Sequence, residues 1–147
     1  MQQKKCKDVM SNPVHTCSEN DTAEQVAKVM EKHDIGFVPI VNACKEVVGV
    51  VTDRDLTTRI LAKHQPPSTR IGDIMTRGDL ATVQADADFR DAEEVMEQTH
   101  RSRVLVTDER NQPRGVIGLA EISRHNEARR AGEVLGSVKT GFAGARR

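Results

Sequence analysis

The sequence predicts a mixed α/β fold in which two similar units each follow the order strand, helix, strand, strand, helix. Three observations carry this prediction: an internal repeat, an apolar helical period early in each unit, and short apolar strands after it. Asp8-Val9-Met10-Ser11 returns as Asp73-Ile74-Met75-Thr76, and Gly49-Val50 returns as Gly115-Val116, at offsets of 65 and then 66 residues. Each unit of roughly 60 residues is too small to bury a robust core alone. We therefore expect the two units to pack on each other.

The first unit begins with an extended piece around His15-Thr16-Cys17, followed by a helix. Asp21 and Glu24 have the spacing of a capping box at the start of that helix. Apolar residues then recur at the spacing of one helical face: Ala23, Val26, Ala27 and Met30.

Two strands and a second helix complete the first unit. Phe37–Val41 is a short apolar strand, and its proline indicates an edge position or a strand end. Val47–Val51 is rich in β-branched residues and predicts the next strand. Thr52 is placed to cap a helix through Leu56, Ile60 and Leu61, and Pro66-Pro67 ends it.

The second unit repeats this order. An extended piece around Ala81-Thr82-Val83 precedes a helix that opens after Asp86. Strands are predicted at Arg103–Thr107 and Gly115–Ile117, with a further helix from about Leu119. The predicted domains are therefore residues 1–65 and 66–125, and residues 126–147 form a basic tail, a helix end and then a loose terminus.

Composition excludes several classes of function. The 22 basic and 22 acidic residues cancel, and aromatic residues make up 2% of the chain, so neither a charged nucleic-acid footprint nor a stacking platform is expected. From residue 124 onward the chain carries six basic and two acidic residues, which gives the tail a charge of +4 and leaves the body at −4. That tail is a solvated end, or it docks on an acidic surface.

The sequence also leads to expectations about the location of the protein and about metal binding. The polar N-terminus and the lack of a long apolar run predict a cytoplasmic protein without membrane contact. Three cysteines without a C-x-x-C pair are expected to be reduced. Neither they nor the five histidines have metal-ligand spacing, so no metal is expected.

These motifs, taken in order and twice, resemble the cystathionine-β-synthase (CBS) domain in a tandem pair, the Bateman module. The resemblance covers residues 7 to about 125. Each unit opens with D-[VI]-M-[ST], Ile35–Val41 resembles the family's hydrophobic-Pro-Val strand, and Gly49–Asp55 matches its G-h-h-[ST]-x-x-[DN] signature. The resemblance implies two domains packed about a pseudo-twofold axis, adenine-bearing ligands in the clefts between them, pairs that dimerise, and a sensing rather than catalytic role.

Gly49–Asp55 has a chemistry that suits such a ligand. A strand that enters a helix presents free backbone N–H groups, which suit a phosphate. Thr52 offers a hydroxyl, and Asp55, three residues on, can accept both hydrogen bonds of a ribose 2′,3′-diol. The same pair also fits a structural role, with Thr52 as N-cap and Asp55 as its acidic partner.

Ile35–Pro39 is the second candidate surface. Gly36 allows close approach to a base, with Ile35 and Val38 as apolar walls, although strand and core roles fit as well. The resemblance puts Thr16 and Cys17 beside base and sugar, and Cys17 also fits a buried small hydrophobe. The predicted ligand-binding residues are Thr16, Cys17, Ile35, Gly36, Phe37, Val38, Pro39, Thr52, Arg54, Asp55 and Arg103.

The second unit departs from the signature. Gly118 replaces the hydroxyl residue, Glu121 replaces the aspartate one methylene further out, and Leu105 replaces Pro39. We therefore expect an asymmetric pair with a weaker or empty second site. Its predicted residues are Thr82, Arg101, Ser102, Val104 and Glu121.

Arginines bear on the choice of ligand. Arg101 and Arg103 either meet a polyphosphate as charge-assisted donors or lie solvated at a strand start. If they point inward, ATP or coenzyme A is favoured over AMP or S-adenosylmethionine. Arg54 is a further phosphate contact, and Arg59 and Lys63 are assigned to the surface.

The function expected is a stand-alone regulatory protein that binds ATP, ADP, AMP or a larger adenosine cofactor such as coenzyme A. No nucleophile–base pattern is present, so we expect no catalytic residues and no enzyme. The expected partners are an adenine-containing small molecule, a second copy in a homodimer and an unidentified regulated protein. The alternative is a ligand-free interaction module that dimerises and regulates a partner.

Overall fold

The computed structural model describes residues 4–125 and 134–136, which form two compact units. The first unit is His15–Leu80, and the second combines the segment up to Val14 with the chain from Ala81 onward. Each unit contains one three-stranded sheet. The predicted mixed α/β class and the order strand, helix, strand, strand, helix are confirmed in both repeats.

The elements of the first unit are β1 (Cys17–Ser18), α2 (Ala23–His33), β2 (Phe37–Val41), β3 (Val47–Thr52) and α3 (Asp53–Asp55), which continues as a π-helix over Leu56–Leu61 and is followed by a 3₁₀ turn at Ile71–Asp73. Those of the second unit are α1 (Cys6–Val9), β4 (Thr82–Gln84), α4 (Phe89–Thr99), β5 (Arg103–Thr107), β6 (Pro113–Gly118) and α5 (Leu119–His125). In each sheet the middle strand pairs parallel with the strand before it and antiparallel with the strand after it.

Pro39 lies in the central strand β2, so its predicted edge or terminal position is wrong. The sheet tolerates it because Pro39 lies opposite Val50, whose N–H and C=O both bond to Thr76 instead. On the other side, β1 begins only at Cys17, opposite Ile40. The missing N–H of Pro39 therefore breaks no ladder bond with either strand.

The helix caps fall one or two residues later than predicted. Thr22, not Asp21, caps α2: its hydroxyl accepts from Gln25 N at 3.2 Å, and Gln25 Oε1 accepts from Thr22 N at 2.8 Å. Asp21 instead accepts from Ser18 N at 2.9 Å and closes the turn before the helix. Asp88 caps α4 by accepting from Arg90 N, because Asp86 is taken up by an ion pair with Lys7.

An aliphatic cluster fills each unit. In the first, the buried face of α2 packs on inward-facing strand residues such as Val38, Ile40 and Val51. Ala27, predicted on that face, is exposed. The second unit has an equivalent cluster around Phe89, and Val134 of the predicted tail is fully buried in it. The rest of the predicted tail, residues 126–133 and 137–147, lies outside the described residues.

Each lead-in, the D-[VI]-M-[ST] segment, packs on a strand of the other repeat. In the second unit, Ser11 and Val116 exchange backbone hydrogen bonds of 2.9 and 3.1 Å. In the first unit, Thr76 and Val50 exchange two of 3.0 Å. The two compact units therefore follow a different division of the chain from the sequence repeats, and the predicted domain boundary near residue 65 stays a prediction.

Candidate functional site

Strand pairing gathers the candidate residues of the first unit at one end of its sheet. Phe37 lies opposite Thr52 across β2 and β3, and Asp53 N donates to Gly36 O at 3.0 Å. On the other side of β2, the parallel strand β1 pairs Cys17 with Ile40, and Thr16 directly precedes this pair. The two candidate segments, Ile35–Pro39 and Thr52–Asp55, are thus neighbours.

The carboxylate of Asp55 is fixed by the start of its own helix. Its Oδ2 accepts from Thr52 N at 2.9 Å, while Thr52 Oγ1 accepts from Asp55 N at 3.2 Å. Its Oδ1 lies 3.5 Å from Arg59 Nη2, and the side chain is 15% exposed. The structural role weighed for this pair is therefore real.

Capping does not exhaust the acceptors of Asp55. A carboxylate has about four lone-pair sites, and the cap and the ion pair engage one on each oxygen. The Thr52 hydroxyl accepts one bond and still has a proton to donate. Both side chains thus combine a fixed orientation with remaining hydrogen-bonding capacity.

The backbone donors at this helix start are occupied, so the expectation of free N–H groups for a phosphate is wrong. Asp53 N donates to Gly36 O, Arg54 N to Asp53 Oδ1 at 2.9 Å, and Asp55 N to Thr52 Oγ1. The sequence motif contains its own acceptors, and these satisfy the donors that a helix start leaves open. A phosphate here would have to be met by side chains such as the exposed Arg54.

Gly36 provides room for a side chain of the protein itself. A Cβ atom at Gly36 would lie 2.8 Å from Asp53 Oδ2. Val38 is 0% exposed and belongs to the core, so its predicted role as an apolar wall is wrong. Because side chains alternate along a strand, Phe37 faces away from that core, and it is half-buried. Ile35 is also half-buried, but it packs against the core.

Cys17 contributes no accessible thiol. Its side chain lies in the core of the first unit, where burial, with a smaller effect of Asp21, raises the pKa of the thiol to about 11. This leaves the Cys17 backbone and the half-buried Thr16, which directly precedes β1, as the remaining candidate groups of this segment.

The second unit reproduces the carboxylate geometry. Gly118 N donates to Glu121 Oε2 at 2.8 Å, Arg124 Nη2 lies 3.5 Å from Glu121 Oε1, and the Glu121 side chain is 13% exposed. The extra methylene therefore does not hold the carboxylate away from this backbone position. What separates the two units is the hydroxyl, which Thr52 has and Gly118 lacks.

The other second-unit candidates are spread over several environments. Thr82 is half-buried and lies opposite Leu105, and Ser102 is also half-buried. Val104 is 0% exposed within the core, so its side chain does not line a site. Arg101 and Arg103 are exposed at the start of β5, where Arg103 lies opposite Gly118. Their role as phosphate contacts stays a prediction.

Two features of the first unit were not predicted from the sequence. Arg59, assigned to the surface, also donates to Ile74 O at 2.7 Å and to Thr76 Oγ1 at 3.0 Å, and its i,i+4 spacing from Asp55 was the available signal. His15 and His33, which flank the candidate segments, stack with ring centroids 3.5 Å apart and planes 11° apart. Nothing in the local sequence indicates that contact.

Neither a metal cluster nor a membrane span is found in the part of the chain that the structure describes. Within residues 4–125 and 134–136, no three His, Cys, Asp or Glu side chains are grouped so as to hold a metal ion. No helix in those ranges has the length and apolar character needed to cross a bilayer.

Known proteins are similar to this chain in sequence and in structure. Hypoxic response protein 1 of Mycobacterium tuberculosis is 32% identical over 119 residues, which cover 81% of this chain and 82% of that protein. A crystal structure of hypoxic response protein I with two coordinated zinc ions has a TM-score of 0.74 at 31% identity and covers 84% of this chain and 99% of its own.

A second solved structure carries ligands of the expected class. It is the CBS domain pair of protein MJ0100 in complex with 5′-methylthioadenosine and S-adenosyl-L-methionine, with a TM-score of 0.73 at 29% identity, covering 84% of this chain and 95% of its own. The family model of the CBS domain matches residues 6–62 and again residues 71–127. With two matches that together span most of its length, the chain belongs to the CBS domain family and carries the domain as a tandem pair.

Proposed function

We propose that this protein is a regulatory binding protein, not an enzyme, whose first unit binds an adenosine-containing ligand through Asp55. The observation that carries the proposal is the half-buried Asp55 carboxylate, fixed by Thr52 N–H and left with acceptor capacity beside Ile35–Pro39. A ribose diol supplies two donors to such a carboxylate, and backbone groups of the neighbouring segment can read a base edge. The adenosine ligands in the MJ0100 structure support the choice of ligand class.

Phosphate recognition rests on side chains in this proposal. The first backbone donors of α3 are used internally, and Asp53 and Asp55 make the helix start acidic. Base and ribose therefore carry most of the binding to the first unit. Arg54 decides how many phosphates are favoured at the first unit, which separates AMP from ADP, ATP and coenzyme A.

Thermal shift with a ligand panel tests the proposal. A ligand that binds the folded state raises the free energy of unfolding by mass action, by about 2.7 kcal/mol when it is present at about 100 times its Kd. The melting temperature rises as a result. The panel is 5′-methylthioadenosine, S-adenosylmethionine, AMP, ADP, ATP and coenzyme A, with GMP as the control for base selectivity.

Matched variants locate the site. Asp55→Asn keeps an oxygen that can accept from Thr52 N, so the cap is retained while the charge that binds the diol is removed. Gln25→Ala removes a capping-box bond of similar geometry at α2, away from the site. We expect Asp55→Asn to lose the ligand-induced shift and Gln25→Ala to keep it. A shift that is absent in the wild type, or unchanged in Asp55→Asn, would reject the proposal.

A ligand-free interaction module is the second candidate, and one observation favours it. Both helix starts that follow the signatures are closed by their own carboxylates, at Asp55 and at Glu121. Since the chain contains no Trp or Tyr, adenine absorbance near 260 nm reports directly on bound ligand. Purified protein that carries no adenine, binds none of the panel and yet self-associates would support this candidate.

The proposal keeps three expectations from the sequence: a homodimer, an unidentified regulated protein and a cytoplasmic location. Sedimentation equilibrium over a range of protein concentrations tests the homodimer. A mass that stays at 16.2 kDa throughout would reject it.

A further inference from the structure

Arg59 joins the candidate ribose carboxylate to the second lead-in. One guanidinium nitrogen, Nη1, donates to Ile74 O at 2.7 Å and to Thr76 Oγ1 at 3.0 Å. The other, Nη2, lies 3.5 Å from Asp55 Oδ1. A single planar, charged group therefore contacts both the proposed ligand-binding residue and a chain segment that follows the first repeat.

The segment that Arg59 holds is also anchored on β3. Thr76 and Val50 exchange two backbone hydrogen bonds of 3.0 Å. Met75 fills the space beside Gly49, where a Cβ atom would lie 2.6 Å from its sulfur. Met75 is buried in the core of the first unit, and the bridge to β3 and the Arg59 guanidinium add polar attachments at Thr76 and Ile74.

The second unit has an equivalent arginine–carboxylate pair, but its arginine makes a different second hydrogen bond. Arg124 pairs with Glu121 as Arg59 pairs with Asp55. Its Nε donates to Ala120 O at 3.4 Å, a carbonyl of its own helix α5. Arg124 therefore provides a matched control in which the arginine–carboxylate pair is present and the second contact, to Ala120 O, lies within the same helix.

We propose that Arg59 is a positioning residue that couples ligand occupancy of Asp55 to the attachment of Ile74–Thr76. The inference rests on the proposed function, since it takes the ligand's ribose as the group bound by Asp55. A bound diol adds two donors to a carboxylate that Thr52 N–H already orients, and this further restrains the carboxylate and the guanidinium paired with it against Ile74 O and Thr76 Oγ1. By linkage, a ligand that binds the attached form better must itself bind more weakly when the attachment is lost.

Hydrogen exchange on the full chain, read by mass spectrometry, tests the coupling. Without ligand, Arg59→Met should raise exchange in the peptide that contains Ile74–Thr76 by about tenfold, since bonds to a charged donor are lost. Arg124→Met should leave that peptide unchanged. Arg59→Lys retains a charge for Asp55 and should give an intermediate rate, because an ammonium lacks the guanidinium fork.

The effect of ligand on hydrogen exchange shows whether Arg59 couples ligand binding to Ile74–Thr76 or only stabilises that segment. With 5′-methylthioadenosine as the probe, the wild type and Arg124→Met should gain protection at Ile74–Thr76, and Arg59→Met should lose that gain and bind the probe more weakly. Exchange raised evenly over the whole chain, or a gain that persists in Arg59→Met, would overturn the inference while leaving the proposed function intact. If no member of the adenosine panel protects or stabilises the wild type, both proposals fail.

Discussion

Replacing Gly49 by alanine should destabilise the first unit, because the space for a side chain is already filled. A Cβ atom at this position would lie 2.6 Å from Met75 Sδ, 2.9 Å from Met75 Cγ and 2.8 Å from Thr76 O. The methionine is flexible and can turn away. The Thr76 carbonyl cannot, because it accepts from Val50 N at 3.0 Å in the bridge that attaches the lead-in to β3.

The magnitude follows from these contacts. Overpacking of a well-packed site costs about 1–3 kcal/mol, and a displaced bridge adds about 1 kcal/mol for each hydrogen bond that is weakened. We expect Gly49→Ala to lower the free energy of unfolding by about 2–3 kcal/mol. With a urea m-value of about 2 kcal/mol/M, the midpoint should fall by roughly 1–1.5 M.

Urea unfolding followed by far-UV circular dichroism measures this change, since the chain has no Trp or Tyr for fluorescence. Gly78→Ala is the matched control, because no atom lies within 4 Å of a Cβ placed there. It should be neutral or slightly stabilising. If Gly49→Ala unfolds within about 0.5 kcal/mol of Gly78→Ala, the packing ascribed to the lead-in is wrong.

Three further changes have defined outcomes. Lys45 has φ 65°, so Lys45→Gly should relieve left-handed strain and stabilise the hairpin by up to about 1 kcal/mol, and a lower urea midpoint would contradict this. Loss of hydration, with the charges of His15 and Lys32, lowers the pKa of His33. The stability that the neutral imidazole gives the folded state is therefore present above pH 6.5 and lost as the pH falls. Between about pH 7.5 and 5.5 the urea midpoint should drop more in the wild type than in His33→Gln, and parallel drops would refute this. With a Cys17 pKa of about 11, iodoacetamide should modify the exposed Cys44 first, and equal rates by peptide mapping would count against the buried assignment.

The elements of the fold were predictable because their signals are local. Phe37–Val41 and Arg103–Thr107 were read as strands from apolar and β-branched runs, and the structure has them with the same bounds. The cap of α2 was misplaced by one residue, because Asp21 and Thr22 are both good N-caps. Only the three-dimensional turn decides that Asp21 bonds back to Ser18 while Thr22 meets Gln25.

The proximity of the candidate residues of the first unit was predictable, and their hydrogen bonding was less so. Thr52 and Asp55 were named from the signature of the family that the repeat resembles, and strand pairing brings them next to Gly36. The sequence did not reveal that Gly36 O would accept from the first N–H of the helix, since that bond depends on the register of two strands. The contact from Arg59 to the lead-in was likewise hidden, because it joins residues whose proximity is set by the fold.

A crystal structure of the protein with a bound adenosine ligand tests the central claim most directly. The proposal predicts that the ribose 2′- and 3′-hydroxyls lie within hydrogen-bond distance, about 2.5–3.0 Å, of the Asp55 carboxylate. It also predicts that the base lies against the backbone of Ile35–Pro39. A ligand bound with its ribose away from Asp55, or crystals grown at saturating ligand that contain none at this position, would contradict the claim.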